Sequence, residues 1–133
     1  MKALDTNVLI RFLVKDDELQ AKAVYKLFKK AESKAEAFFI PILVVLEIFW
    51  VLEAVYEISR EEIIDSIDEL LLMPILQFEA QSALRSFVSS AREYKTDLSD
   101  LLISHYAKYS GCGPVITFYK KAAKLELFEL FKI

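Results

Sequence analysis

The sequence holds one cysteine, one histidine, two glycines and three prolines in 133 residues. A single cysteine, Cys112, excludes an internal disulfide and a cysteine-pair zinc site. It makes a reducing cytoplasm the natural home, and packing as a small apolar core residue is its expected role. With His105 as the one histidine, no Ser/His/Asp set is available. Two glycines leave no pattern for a phosphate-cradling loop. Long apolar runs are missing too. The longest, Phe38 to Leu52, is interrupted by Glu47 and falls short of the ~20 residues that a membrane span needs, so no membrane association is expected. No secretory leader is read at the start, where MKALDTNVLI places an acid in the first apolar stretch. An excess of positive charge is absent as well. The net charge of −3 and a pI of about 5.3 give no global pull toward nucleic acid.

What is present suits a compact, helix-rich fold. Hydrophobic residues make up 55% of the chain and charged ones 28%, which supplies a core and argues against disorder. The length fits one domain, residues 1–133. Residues 1–5 read as a strand ending in an acid, and Asp5-Thr6-Asn7 as capping types ahead of the helical VLIRFLV. An amphipathic helix follows, with Leu19, Ala23, Leu27 and Ala31 in line and Val24 and Phe28 beside them. Ala37–Ile40 is a second strand. Pro41 suits the first turn of a helix to Val55 that is apolar nearly all round and therefore central and buried. Ser59-Arg-Glu-Glu is a capping box for a helix to about Leu72. Pro74–Phe78 is a third strand, Glu79–Tyr94 a helix, and Asp97 opens a helix that the Gly-Cys-Gly-Pro cluster ends after Ser110. Val115–Phe118 is a fourth strand, a short basic turn follows, and Leu125–Ile133 offers an edge strand. Short strands alternating with helices imply a parallel sheet flanked by helices. The functional crevice of such a sheet lies beyond the carboxyl ends of its strands.

Acids occupy the places where chemistry is expected. Asp5 stands at the end of the first strand, as a metal ligand or a helix cap, with Thr6 and Asn7 as hydrogen-bonding support. Glu47 has Leu43, Val44, Trp50, Val51 and Ala54 as same-face neighbours, a setting in which an ionised carboxylate is costly unless compensated. No Lys or Arg lies between Ala35 and Ser59, so the expected compensation is a metal, a distant cation or a proton. Glu53 reads as solvent-facing. Asp97 and Asp100, at i and i+3, share one side of a helix start, as ligands or as cap and first-turn acid. Four acids without soft ligands suit Mg²⁺ or Mn²⁺, and metal-activated hydrolysis is the reaction class these residues allow. His105 lies about 140° round its helix from Asp100 and is expected to pack rather than ligate. A strand–Asp phosphoryl-transfer site using Asp5 as nucleophile is disfavoured by Asn7, where such sites need a second acid.

The stretches ALDTNVLIRFL, PILVVLEIFWVL, TDLSDLLISHYAKYSGC and VITFYKKAAK together resemble the PIN domain, and within it the VapC-type toxins of toxin–antitoxin pairs. The resemblance implies a three-layer α/β/α sandwich with a parallel four- to five-stranded sheet, and Mg²⁺-dependent cleavage of single-stranded RNA. It also implies a homodimer and neutralisation by a small antitoxin. Asp5, Glu47 and Asp100 match the family's core acids, and Asp97 a companion acid one turn earlier. Thr117 would support Asp5 or a phosphate oxygen, and Lys120, Lys121 and Lys124 would steer the RNA backbone. Tyr119 departs from the pattern, standing where the family usually has an acid. The alternative is a non-catalytic PIN-like binding module with a degenerate site.

Overall fold

The computed structural model describes residues 1–133 and divides them into two compact units, Met1–Glu79 and Ala80–Ile133. The first runs β1 (Lys2–Ala3), α1 (Thr6–Leu13), α2 (Glu18–Ser33), β2 (Phe38–Ile40), α3 (Ile42–Ala54), α4 (Arg60–Leu71) and β3 (Leu76–Phe78). Its strands form a parallel sheet in the order β1-β2-β3, with Lys2 opposite Phe38 and Phe38 opposite Leu76. Helices connect consecutive strands, as parallel pairing requires. The second unit holds α5 (Gln81–Glu93), α6 (Leu98–Tyr109), β4 (Val115–Thr117), a turn of 3-10 helix at Ala122–Lys124, and β5 (Phe128–Leu130). Here β4 and β5 pair in parallel, Val115 opposite Phe128 and Thr117 opposite Leu130. Pairing within each ladder is thus parallel, as expected. The strands are hydrogen-bonded as one ladder of three and one of two.

The buried set of the first unit includes Leu9, Ile10, Ile40, Val45, Ile48, Leu52, Ile63, Ile67 and Leu70. In the second, α5 packs along α6, burying Leu84 and Phe87 on one helix and Leu101 and Leu102 on the other. Each such side chain withdrawn from water contributes roughly 1.5–3 kcal/mol before entropy is counted.

Three expectations are corrected. On α2 the buried residues are Val24, Phe28 and Ala31, while Leu19, Ala23 and Leu27 are exposed. Phe28 sets that choice, lying between Phe12 at 5.0 Å and Phe38 at 6.1 Å. Helix α3 is not buried all round, because only Val45, Ile48, Phe49 and Leu52 are enclosed and Leu43 and Trp50 remain 74% and 64% exposed. Cys112 is exposed and not a core residue. It sits in the turn after α6, where its N–H donates to the carbonyl of Ala107 at 2.9 Å.

Scarcity of glycine leaves a mark on the backbone. Lys15, Ala35, Glu57 and Ala80 all take positive φ, between 45° and 56°, a region that costs an L-residue roughly 1–2 kcal/mol. Ala35 is the residue after the C-cap of α2, a position that glycine normally fills. Gly111 does fill the corresponding place after α6, with φ of 93°.

Candidate metal centre

The four candidate acids are divided between the units, Asp5 and Glu47 in the first and Asp97 and Asp100 in the second. Asp5 follows β1 and is the N-cap of α1, its Oδ1 accepting the N–H of Thr6 at 2.8 Å. The side chain is exposed, and this single hydrogen bond leaves Oδ2 for another partner. Cap and ligand are therefore compatible roles. Thr6 is buried at the first position of the helix, and Asn7 beside it is exposed.

Glu47 lies in the second turn of α3 and is exposed, which overturns the reason for which the sequence singles it out. Its neighbours Leu43, Trp50 and Ala54 are themselves exposed, so the carboxylate stands in water on an apolar but uncovered face. Burial supplies no argument for a metal there. Glu53 is exposed, as expected.

A residue that the sequence reading missed holds the start of α3. Pro41 is its N-cap and offers no side-chain hydrogen bond. Glu79, directly after β3, fills that gap: its Oε1 accepts the N–H of Ile42 at 2.9 Å, and its own N–H donates to the carbonyl of Ile40 at 2.9 Å. A carboxylate at a helix N-terminus is also favoured by the dipole. The sequence reads Glu79 as the start of the next helix, and its partner is 37 residues away, so no local signal exposes the role.

In the second unit Asp97 is the N-cap of α6, its Oδ1 accepting from the N–H of Ser99 at 3.0 Å and of Asp100 at 3.2 Å. Asp100 is partly buried in the first turn. Loss of solvent, and then the charge of Asp97, push its carboxyl above the usual range. The helix dipole acts in the other direction, so burial and like charge win. A cation beside the pair would relieve both penalties.

His105 packs, as expected. It is 8% exposed, and its Nε2 lies 2.7 Å from Ser90 Oγ. Burial, and then Lys108, hold its pKa below the usual value. At the end of β4, Thr117 Oγ1 accepts the N–H of Tyr119 at 3.0 Å, so the hydroxyl shapes the turn that presents Tyr119, 51% exposed. Lys120, Lys121 and Lys124 are exposed.

Within neither unit are three or more His, Cys, Asp or Glu side chains gathered into a metal-holding group. The donor chemistry nonetheless fits a hard divalent ion: the candidates offer carboxylate oxygen only, one imidazole nitrogen is engaged by Ser90, and Asp100 carries a charge that its surroundings disfavour.

Comparison with known proteins gives the same family as the motifs. The family model for the PIN domain matches residues 2–126. A VapC ribonuclease of Aquifex aeolicus (strain VF5) is 29% identical over 125 residues, covering 94% of this chain and 92% of that protein. No solved structure matches.

Proposed function

The chain belongs to the PIN-domain family, and on that premise we propose that it is a divalent-metal-dependent endoribonuclease acting on single-stranded RNA, the toxin of a toxin–antitoxin pair. What carries the reading is the match over residues 2–126, which takes in all four acids; the likeness to a VapC ribonuclease supports the substrate class. The proposal treats residues 1–133 as one PIN domain in which Asp5, Glu47 and Asp100 hold the ion and Asp97 assists. That assembly rests on the family and on oxygen-donor chemistry.

Bound Mg²⁺ or Mn²⁺ supplies an activated water and stabilises charge on the phosphate. The protein's own contribution is positional. Asp5 is held by accepting the N–H of Thr6. Asp97 holds the first turn of α6 and with it Asp100, and Glu79 fixes the start of the helix bearing Glu47. Lys120, Lys121 and Lys124 attract the RNA backbone in a chain whose net charge of −3 would otherwise repel it. The partners in this reading are RNA, a second copy of the chain and a small antitoxin, and the setting is cytoplasmic. No helix is long and apolar enough to cross a membrane.

The test is cleavage of a generic single-stranded RNA with Mg²⁺, with EDTA, and by the Asp5→Asn variant. Activity in the first case alone is expected; metal-independent cleavage or a fully active Asp5→Asn protein overturns the reading. The resemblance also raises a second reading, a binding module without activity, because Tyr119 stands where the family usually has an acid. Calorimetric titration with Mn²⁺ separates the two, since a module would show no binding at millimolar metal.

A further inference from the structure

The end of the second unit carries an aromatic surface that the four acids do not use. The N–H of Phe131 donates to the carbonyl of Thr117 at 2.7 Å, extending the β4–β5 register so that Phe118 and Phe131 stand side by side. Their rings meet edge to face, with centroids 5.0 Å apart and planes at 74°. They are nonetheless 67% and 50% exposed, and Tyr119 beside them is 51% exposed. The edge-to-face contact holds the rings in place and covers part of one ring face, while half or more of each residue stays in water. An open depression of about 670 Å³ adjoins the pair, lined by Phe118, Lys120, Leu130, Phe131, Lys132 and Ile133. An exposed apolar patch of this kind marks a contact surface.

Charge identifies what the surface contacts. Residues 118–133 hold four lysines and two glutamates in a chain of net charge −3, so positive charge is concentrated where the rings are exposed. Two of those lysines, Lys120 and Lys132, line the depression itself. Exposed aromatic rings flanked by ammonium groups match single-stranded nucleic acid, in which bases stack on aromatics and the backbone follows the cations. A paired duplex hides its base faces and cannot use the rings. Alternation along β5 puts Glu129 on the same side as Phe131, so an acid borders the platform and bounds the path of a polyanion.

We propose that Phe118 and Phe131, with Tyr119 beside them, form a base-stacking platform for single-stranded RNA, with Lys120 and Lys132 holding the adjoining phosphates. The substrate class rests on the ribonuclease reading. The platform itself rests on the exposed ring pair and its lysines, and it is tested without cleavage. Fluorescence anisotropy of a labelled ten-nucleotide oligouridylate, in EDTA with the full-length chain, measures binding alone. Phe118→Ala and Phe131→Ala are expected to weaken it by roughly 10- to 100-fold, and Phe131→Trp to restore it. Lys132→Gln should reduce the salt dependence by about one released counterion, and Glu129→Gln should tighten binding. Binding in EDTA is read without cleavage, so loss of the nuclease reading and loss of the platform are told apart. Unchanged binding by both alanine variants overturns the proposal, as does equal weakening toward a duplex. A changed sedimentation coefficient of Phe131→Ala with unaltered RNA affinity also overturns it, because a second copy of the chain would then be the occupant.

Discussion

Asp97 accepts the backbone N–H of Asp100 at 3.2 Å, so one candidate ligand caps the helix that presents the other. A carboxylate is not required for the first task. Asn caps as well as Asp, whereas Ala costs about 1 kcal/mol. Asp97→Asn is therefore expected to keep stability within about 0.5 kcal/mol of the parent in urea unfolding, and to weaken Mn²⁺ binding by calorimetry. Asp97→Ala should lose both. Equal Mn²⁺ affinity for parent and Asp97→Asn would reduce Asp97 to a cap. Asp97→Asn should also let the Asp100 carboxyl titrate at lower pH by NMR, since one of the two causes of its elevation is removed.

Glu47 separates stability from function. It is exposed, so Glu47→Gln is expected to alter folding free energy by no more than about 0.5 kcal/mol. Cleavage should nonetheless fall by about 100-fold or more, beyond the roughly 10–100-fold that loss of an outer partner costs a metal site. Single-turnover kinetics beside thermal unfolding checks both halves. Retained cleavage would remove Glu47 from the ligand set.

His105 predicts the pH behaviour of the second unit. Its folded pKa is depressed by burial and then by Lys108. The folded state therefore prefers the neutral ring, and stability is full above the unfolded histidine pKa of about 6.5. It is lost as pH falls below that value toward the depressed folded pKa. The melting temperature should drop between pH 7 and 5, and less so in His105→Gln. Carboxylates are mostly ionised over that interval, so an unchanged slope in the variant would assign the effect elsewhere.

Ala35 offers a stabilising change. Its φ of 51° is a left-handed conformation without glycine. Ala35→Gly removes that strain and adds unfolded-state freedom, for a net gain of about 0.5–1 kcal/mol. The melting temperature should rise with activity unaltered. A lower one would show that the Ala35 methyl has a packing role.

Local signals in the sequence translated well. Ser59 caps α4, Asp97 caps α6, and the strands at Phe38–Ile40 and Leu76–Phe78 fall where apolar runs end at turn residues. Periodicity located α2 but left two neighbouring stripes to choose between, and only the packing of Phe28 against Phe12 and Phe38 decides for Val24 and Ala31. Apolar composition made α3 a helix without saying which side is covered. The burial inferred for Glu47 failed for that reason, its apolar neighbours being exposed with it. Glu79 was illegible because a cap from 37 residues away leaves no trace in local spacing. The candidate acids are legible from different local cues: the strand end for Asp5, apolar neighbours for Glu47 and i, i+3 spacing for Asp97 and Asp100, and of these the cue for Glu47 is the one its environment removes.

Trp50, the chain's single tryptophan, is 64% exposed and stands three residues beyond Glu47 on α3. In the uncovered chain its indole emits as a water-relaxed fluorophore and is open to acrylamide quenching. Whatever comes to lie on that side of α3 will shift the emission blue and shield it. Assembly at this helix can thus be followed optically, with the native protein and no attached dye.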